Sequence, residues 1–303
     1  MNRLERIVGS NALRGKRILV TGCGYKPLKH VFYDIVTGEP THDAISVNGQ
    51  EMKLNIGAAT AGVLAFHGAD VHMVSTSEEK LANICKELGP IVGENRLRYS
   101  AMDLLDKREV YEFIAGIPTD KELYWVQSIG IGAGSYHLKD DNPYLPLDEI
   151  EEALLEAETI IPLRATHIMM KALLPQLRKQ EQSKIAIITS MSAIRGYSLG
   201  GTHCTAKAAI DKYANVCMLA SYKERIFLTT IRPGGVDTGM YENPTVQEAI
   251  KKISDEYKGI YREHFCLAPP TIVGEAIAYA FMTPAHILSI DMIANGQFPN
   301  QGS

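Results

Sequence analysis

Two stretches of this 303-residue chain carry residues whose types and spacing could do chemistry. The first is Thr21-Gly22-Cys23-Gly24, resumed at Asn55-Ile56-Gly57 where a helical pattern begins. A glycine-rich turn that feeds a helix N-terminus suits a pyrophosphate, because backbone N–H groups and the positive end of the helix dipole face the anion. Gly-x-Gly alone occurs in many turns. Here it follows a strand-like run, RILVTG (17–22), and a second run, DVHMVS (70–75), comes after the helix. Gly22, Cys23, Gly24, Asn55, Ile56 and Gly57 are therefore expected to line a dinucleotide. Position 76, past the second strand, would face the adenosine ribose, where a carboxylate selects a free 2′-hydroxyl. The chain has Ser75-Thr76-Ser77 instead, with Lys26 and Lys80 as candidate phosphate partners. Thr76 thus points to NADP, with NAD as the alternative. The same hydroxyls could also cap the next helix, and the two roles are compatible.

The second stretch surrounds His203. Histidine is a competent general acid–base, with an ordinary pKa of about 6.5. Cys204 beside it suggests a thiol nucleophile, but neighbours on a helix point apart, so Cys204 is expected to pack as a small hydrophobe. Met169, Met170, Met191 and Met240 could line an apolar pocket, although core packing is the commoner role. Asp34, His42 and Asp43 do not form a metal set, and no metal is expected.

These residues need a frame. Further strand-like runs are LRYSAMD (97–103), ELYWVQSIG (122–130), KIAIITS (184–190), IFLTTIRPGG (226–235) and ILSIDMIANGQ (287–297). Helical patterns fall between them at 55–69, 77–88, 149–177, 205–223 and 273–282. Buried strands alternating with helices predict right-handed crossovers and a doubly wound parallel sheet of Rossmann type, an α/β fold with ligands at the carboxyl ends of the strands. One such sheet spans the chain, so 1–303 reads as a single domain. Residues of about 25–54 exceed what a phosphate turn needs. The runs KHVFYDIVTGEP and THDAISVNGQEMKL predict a β-hairpin insertion that could cover the cofactor, shape a substrate pocket or bind a partner.

Hydrophobic residues make up 46% of the chain and charged residues 22%, with a formal net charge of -4. That balance suits a globular enzyme with a sizeable core and offers no basic face for nucleic acid. Five cysteines without a CxxC pair argue against a disulfide framework and fit a reducing compartment. The N-terminus lacks the apolar core of a signal peptide, and no apolar run is long enough to span a membrane. A soluble, cytoplasmic protein is expected.

The stretch from KIAIITSMSAIRGYS through THCTAKAAIDKY to TTIRPGGVDTGM resembles the catalytic half of the short-chain dehydrogenase/reductase family, and the resemblance extends over about residues 16–300 outside the insertion. It implies that Asp103, with Leu104, holds adenine and that Pro233, Gly234, Val236 and Thr238 anchor the nicotinamide. It also implies that Ser190 and Lys207 are catalytic, with Lys207 on the nicotinamide ribose. The expected activity is hydride transfer between NADP or NAD and a carbonyl or alcohol carbon of a small molecule. A homodimer or homotetramer is likewise implied.

Three positions depart from the family pattern. His203 stands where the family has its proton-donating tyrosine, four residues before Lys207. Pro162 falls at the proton-relay asparagine, and Gln127-Ser128-Ile129-Gly130 replaces Asn-Asn-Ala-Gly. A cationic Lys207 would depress the pKa of His203, which suits a base for alcohol oxidation better than an acid for ketone reduction. Tyr197 is a candidate substitute donor, and Tyr241, Tyr257, Tyr261 and Phe265 mark the expected substrate lid. The alternative is a dinucleotide-binding sensor or accessory protein that has lost turnover.

Overall fold

The computed structural model describes residues 11–130, 144–256 and 267–295. Seven parallel strands form the central sheet: β1 (Lys16–Thr21), β5 (Asp70–Ser75), β6 (Leu97–Ala101), β7 (Glu122–Gln127), β8 (Ser183–Ile188), β9 (Ile226–Pro233) and β10 (Ser289–Met292). Their order is β10-β9-β8-β7-β1-β5-β6. Every residue of β8 is buried, as a parallel strand covered on both faces requires.

One face packs against α1 (Ile56–Phe66), α2 (Glu78–Val92) and α7 (Pro270–Met282) around Ile18, Val20, Leu64 and Ile277. The other packs against α3 (Lys107–Ala115), α4 (Glu152–Leu177) and α5 (Gly201–Ser221) around the fully buried Trp125. The chain crosses from one side of β1 to the other between β6 and β7, the switch point at whose carboxyl ends sheets of this kind bind ligands. No described helix is long and apolar enough to cross a membrane.

Local signals account for several elements that the periodicity alone misses. Asp106 caps α3 by accepting from the amides of Arg108 and Glu109. A further helix, α6 (Pro244–Glu256), lies in the segment expected to form the lid. The helix anticipated from 205 starts at Gly201, because the Cys204 amide donates to the Gly200 carbonyl at 2.8 Å and closes an earlier turn. His203 consequently sits in the first turn of α5.

The expected hairpin insertion is a three-stranded antiparallel sheet, in the order β2 (Tyr25–Pro27), β4 (Gln50–Leu54), β3 (Ala44–Val47). Asn48 and Gly49 join β3 to β4 with φ of 53° and 79°, the two positive values of a type I′ turn. The run at 29–40 pairs only through a Tyr33–Pro40 bridge. Asp34 accepts from the amides of Val36 and Thr37, both at 2.8 Å, which curls the backbone away from an extended ladder.

Candidate functional site

The glycine turn closes on itself despite the insertion. The Asn55 amide donates to the Gly24 carbonyl at 3.0 Å, while Asn55 Oδ1 accepts from the amides of Gly24 and Ala58 and Nδ2 donates to the Gly22 carbonyl. The residues that flank the insertion are thereby held together, as in an uninterrupted turn. Gly22 has φ of +88°, and a Cβ there would lie 2.3 Å from the Ser128 carbonyl oxygen. A Cβ on Gly57 would lie 2.6 Å from the Gly22 carbonyl oxygen. The amides of Ile56 and Gly57 are first-turn donors of α1 without a partner among the described residues, and such donors suit an anion.

Three expected cofactor residues bury their side chains instead of presenting them. Cys23 turns its thiol towards the Val20 carbonyl, and burial pushes its pKa up. Leu104 belongs to the core around Trp125, and Val236 to the core around Ile18. Only their backbones can reach a ligand. Thr76 is exposed beyond β5, while Ser77 caps α2. Lys80 lies over the Tyr25 ring near that point. Lys26, in β2, packs its stem beside Gly239. Asp103 is exposed past β6, its carboxylate accepting from the Leu105 amide at 2.9 Å.

Ser190 follows β8, with its hydroxyl 2.5 Å from that of Ser192 and 3.4 Å from the Pro233 carbonyl it donates to. Gly234 is fixed by donation to the Met292 carbonyl at 2.7 Å, and Thr238 is half-buried beyond it. α5 packs on the short turn after Ser190, and its pose is set by Asp211. That carboxylate accepts from Arg232 at 2.7 and 3.0 Å and from Thr189 at 3.1 Å, tying the helix to β8 and β9. Lys207 Nζ lies 3.9 Å from where a Cβ on Gly130 would stand.

Burial first, and Lys207 second, push His203 from its ordinary 6.5 to about 3. Its place at a helix N-terminus acts in the same direction. Burial also lowers Lys207, and the Glu158 carboxylate opposes that shift. Tyr197 and Met240 pack against a separate apolar group that includes Tyr144, Tyr241 and Ile250. Met169 and Met170 are core residues. Tyr257, Tyr261 and Phe265 lie outside the described residues.

Residues 53–249 match the short chain dehydrogenase family. The chain belongs to that family of oxidoreductases. An uncharacterised oxidoreductase of Listeria innocua is 25% identical over 234 residues, 77% of this chain and 88% of that protein. A 3-ketodihydrosphingosine reductase of Bacteroides thetaiotaomicron is 30% identical over 80 residues, which span only 30% of its length. In overall shape the chain is similar to an alcohol dehydrogenase of Thermococcus sibiricus complexed with 5-hydroxy-NADP. That match has a TM-score of 0.66 and 18% identity over 94% of this chain and 99% of the other.

Sequence reasoning missed what this short-chain dehydrogenase does with its insertion. Lys53 is fully buried and pairs with Asp237 and Glu242, each at 2.7 Å, on the segment after β9. Thr41 donates to Asp237 at 3.1 Å, and the amides of Lys29 and His30 donate to Glu242 at 3.2 Å. Asp43 accepts from the Thr271 amide at the start of α7, and Phe32 joins the apolar group around Tyr241. No short-range pattern announces such pairings. Glu158 was missed as well, although a lone Glu among the apolar positions of α4 was a visible signal.

Proposed function

We propose that the chain is an NADP-dependent oxidoreductase acting on a carbonyl/alcohol pair of a small-molecule substrate. In this reading Ser190 and His203 stand at the reacting oxygen and Lys207 on the nicotinamide ribose. The carrying observation is the closed glycine cradle, with the free amides of Ile56 and Gly57 at the strand ends that also present Ser190. Asp103 would take adenine, and the backbone of Pro233, Gly234 and Val236 with Thr238 would take the carboxamide end. Thr76 and Lys80, with no carboxylate at position 76, favour NADP over NAD. The archaeal relative complexed with 5-hydroxy-NADP supports the same choice.

When bound, the cofactor supplies or accepts the hydride. The chain handles the proton. His203 held neutral can accept a proton from an alcohol or offer its N–H as a hydrogen bond, so alcohol oxidation is the favoured direction. Ser190 orients the same oxygen. A second reading, a dinucleotide-binding sensor or accessory protein without turnover, is favoured by that same suppression of the imidazolium. The exposed Leu155 and Ile160 on α4 and Val216 and Leu219 on α5 support a homo-oligomer. The four free described cysteines support a reducing, cytoplasmic setting.

The test is NADPH titration by fluorescence, followed by a panel of alcohols with NADP and of carbonyls with NADPH. Turnover that His203→Ala abolishes is expected. Binding without turnover on any panel member would move the protein to the sensor reading, and turnover indifferent to His203→Ala would remove His203 from the chemistry. His203→Tyr should raise carbonyl reduction if the remaining framework is intact.

A further inference from the structure

We infer that Lys53 is a positioning residue of the dinucleotide site. Through it the insertion acts as a strut that fixes residues 236–238 relative to the glycine turn, and so sets where the nicotinamide end of the cofactor is held. The ligand rests on the proposed function; the strut itself does not.

The strut is rooted in the glycine turn. β2 begins one residue after Gly24 and β4 ends one residue before Asn55, so the two strands that leave the turn pair with each other. Lys26 and Lys53 are directly opposed in that ribbon, which puts their side chains on one face. Both reach the turn at 237–242. Lys53 Nζ meets Asp237 and Glu242, each at 2.7 Å, and lies 5.2 Å from the centre of the Phe32 ring. A Cβ on Gly239 would stand 3.5 Å from that of Lys26. One lysine thus grips both ends of the turn, while the other supports its middle.

The insertion also holds the backbone that pairs with this segment. The Asp237 amide donates to the Ala268 carbonyl at 2.9 Å, and the Ala268 amide donates to the Gly235 carbonyl at 3.0 Å. Thr271, a little further on, donates its amide to Asp43 at 2.7 Å and its hydroxyl at 3.2 Å. The Asp43 carbonyl accepts from the Leu54 amide at 2.8 Å, which returns the connection to the end of β4. Val236 and Thr238 flank Asp237, so they are held from two sides by a ribbon that grows out of the glycine turn.

An apolar contact could join the same surfaces without desolvating any charge. What the charged contacts add is direction, because short N–H···O bonds to carboxylates tolerate little shift or rotation. Direction matters at a site of transfer. A misplacement of about 1 Å can cost about 100-fold in rate.

The test compares the full-length wild type with Lys53→Met by hydrogen exchange without cofactor, read by mass spectrometry. Titrations with NADPH and with adenosine 2′,5′-bisphosphate, which lacks the nicotinamide, accompany it. Peptides of β8 report global unfolding and set the baseline. Lys53→Met is expected to speed exchange at 235–239 about tenfold beyond any change in β8, while 55–59 follows β8. NADPH should bind about three- to tenfold more weakly, and the bisphosphate as it does to the wild type. Exchange at 235–239 that merely follows β8, or an equal loss for both ligands, overturns the inference. Should that variant not fold, Glu242→Gln, which leaves the Lys53–Asp237 pair, should speed exchange at 235–239 about threefold, and an unchanged rate overturns the inference equally. Exchange needs no cofactor. Lost protection at 235–239 in a protein that binds neither ligand upholds the strut and counts against the oxidoreductase reading, and NADPH binding with 235–239 unmoved does the reverse.

Discussion

Lys53 and Lys207 sit in surroundings that differ in kind. Lys53 meets two carboxylates at 2.7 Å, and those carboxylates also accept from Thr41, Lys29 and His30. Lys207 is only half-buried, and the Glu158 carboxylate acts on it from beyond ion-pair distance. A saturated buried cluster holds two parts of a fold together and has no spare valence for a ligand. An unsaturated one is unstable by itself and retains the capacity to bind or to move a proton. The first joins the insertion to the segment after β9. The second lies where the reacting oxygen is proposed to sit.

Substitutions at the two lysines should therefore separate stability from binding. The largest effect is expected for Lys53→Met, which strands two buried carboxylates and should cost about 3–5 kcal/mol in urea unfolding. A loss below about 1 kcal/mol would sink the description of this cluster as a structural clamp. Lys207→Met should weaken NADPH binding about 10- to 100-fold, the worth of a charged hydrogen bond, and should cost clearly less in urea unfolding than Lys53→Met. A variant that unfolds easily but binds normally would reverse the assignment of the two lysines.

Smaller effects sharpen the contrast. Thr41→Val removes one donor from Asp237 while Lys53 remains, so a loss of about 1.5 kcal/mol is expected, with NADPH affinity unaltered. His203 titrates lower in the folded chain, about 3 against an ordinary 6.5, so the unfolded state holds the extra proton between those values. Its share of stability is complete above about pH 6.5 and declines as the pH falls towards about 3. His203→Asn should flatten the loss of stability over that window relative to the wild type, as read from unfolding midpoints. Identical slopes would mean that His203 is hydrated and ordinary.

The parallel sheet was legible because its strands are buried on both faces and read as continuous apolar runs, KIAIITS being the clearest. The glycine turn was legible because backbone geometry alone demands glycine at 22 and 57. α3 escaped notice because its polar first turn and short apolar stripe resemble a loop, although Asp106 marked its start. The start of α5 was placed late because Gly200-Gly201 reads as a loop until the Cys204 amide is seen to close a turn.

By itself, the sequence determined the α/β order, the glycine cradle and the spacing that puts His203 one turn before Lys207. Each depends on backbone conformation or on short-range periodicity. Tertiary structure alone decided that Lys53 would reach Asp237, 184 residues away, and that the Glu158 carboxylate of α4 would be buried. Such pairings depend on which faces of distant elements come to share a desolvated space, and a carboxylate's meaning changes with that space.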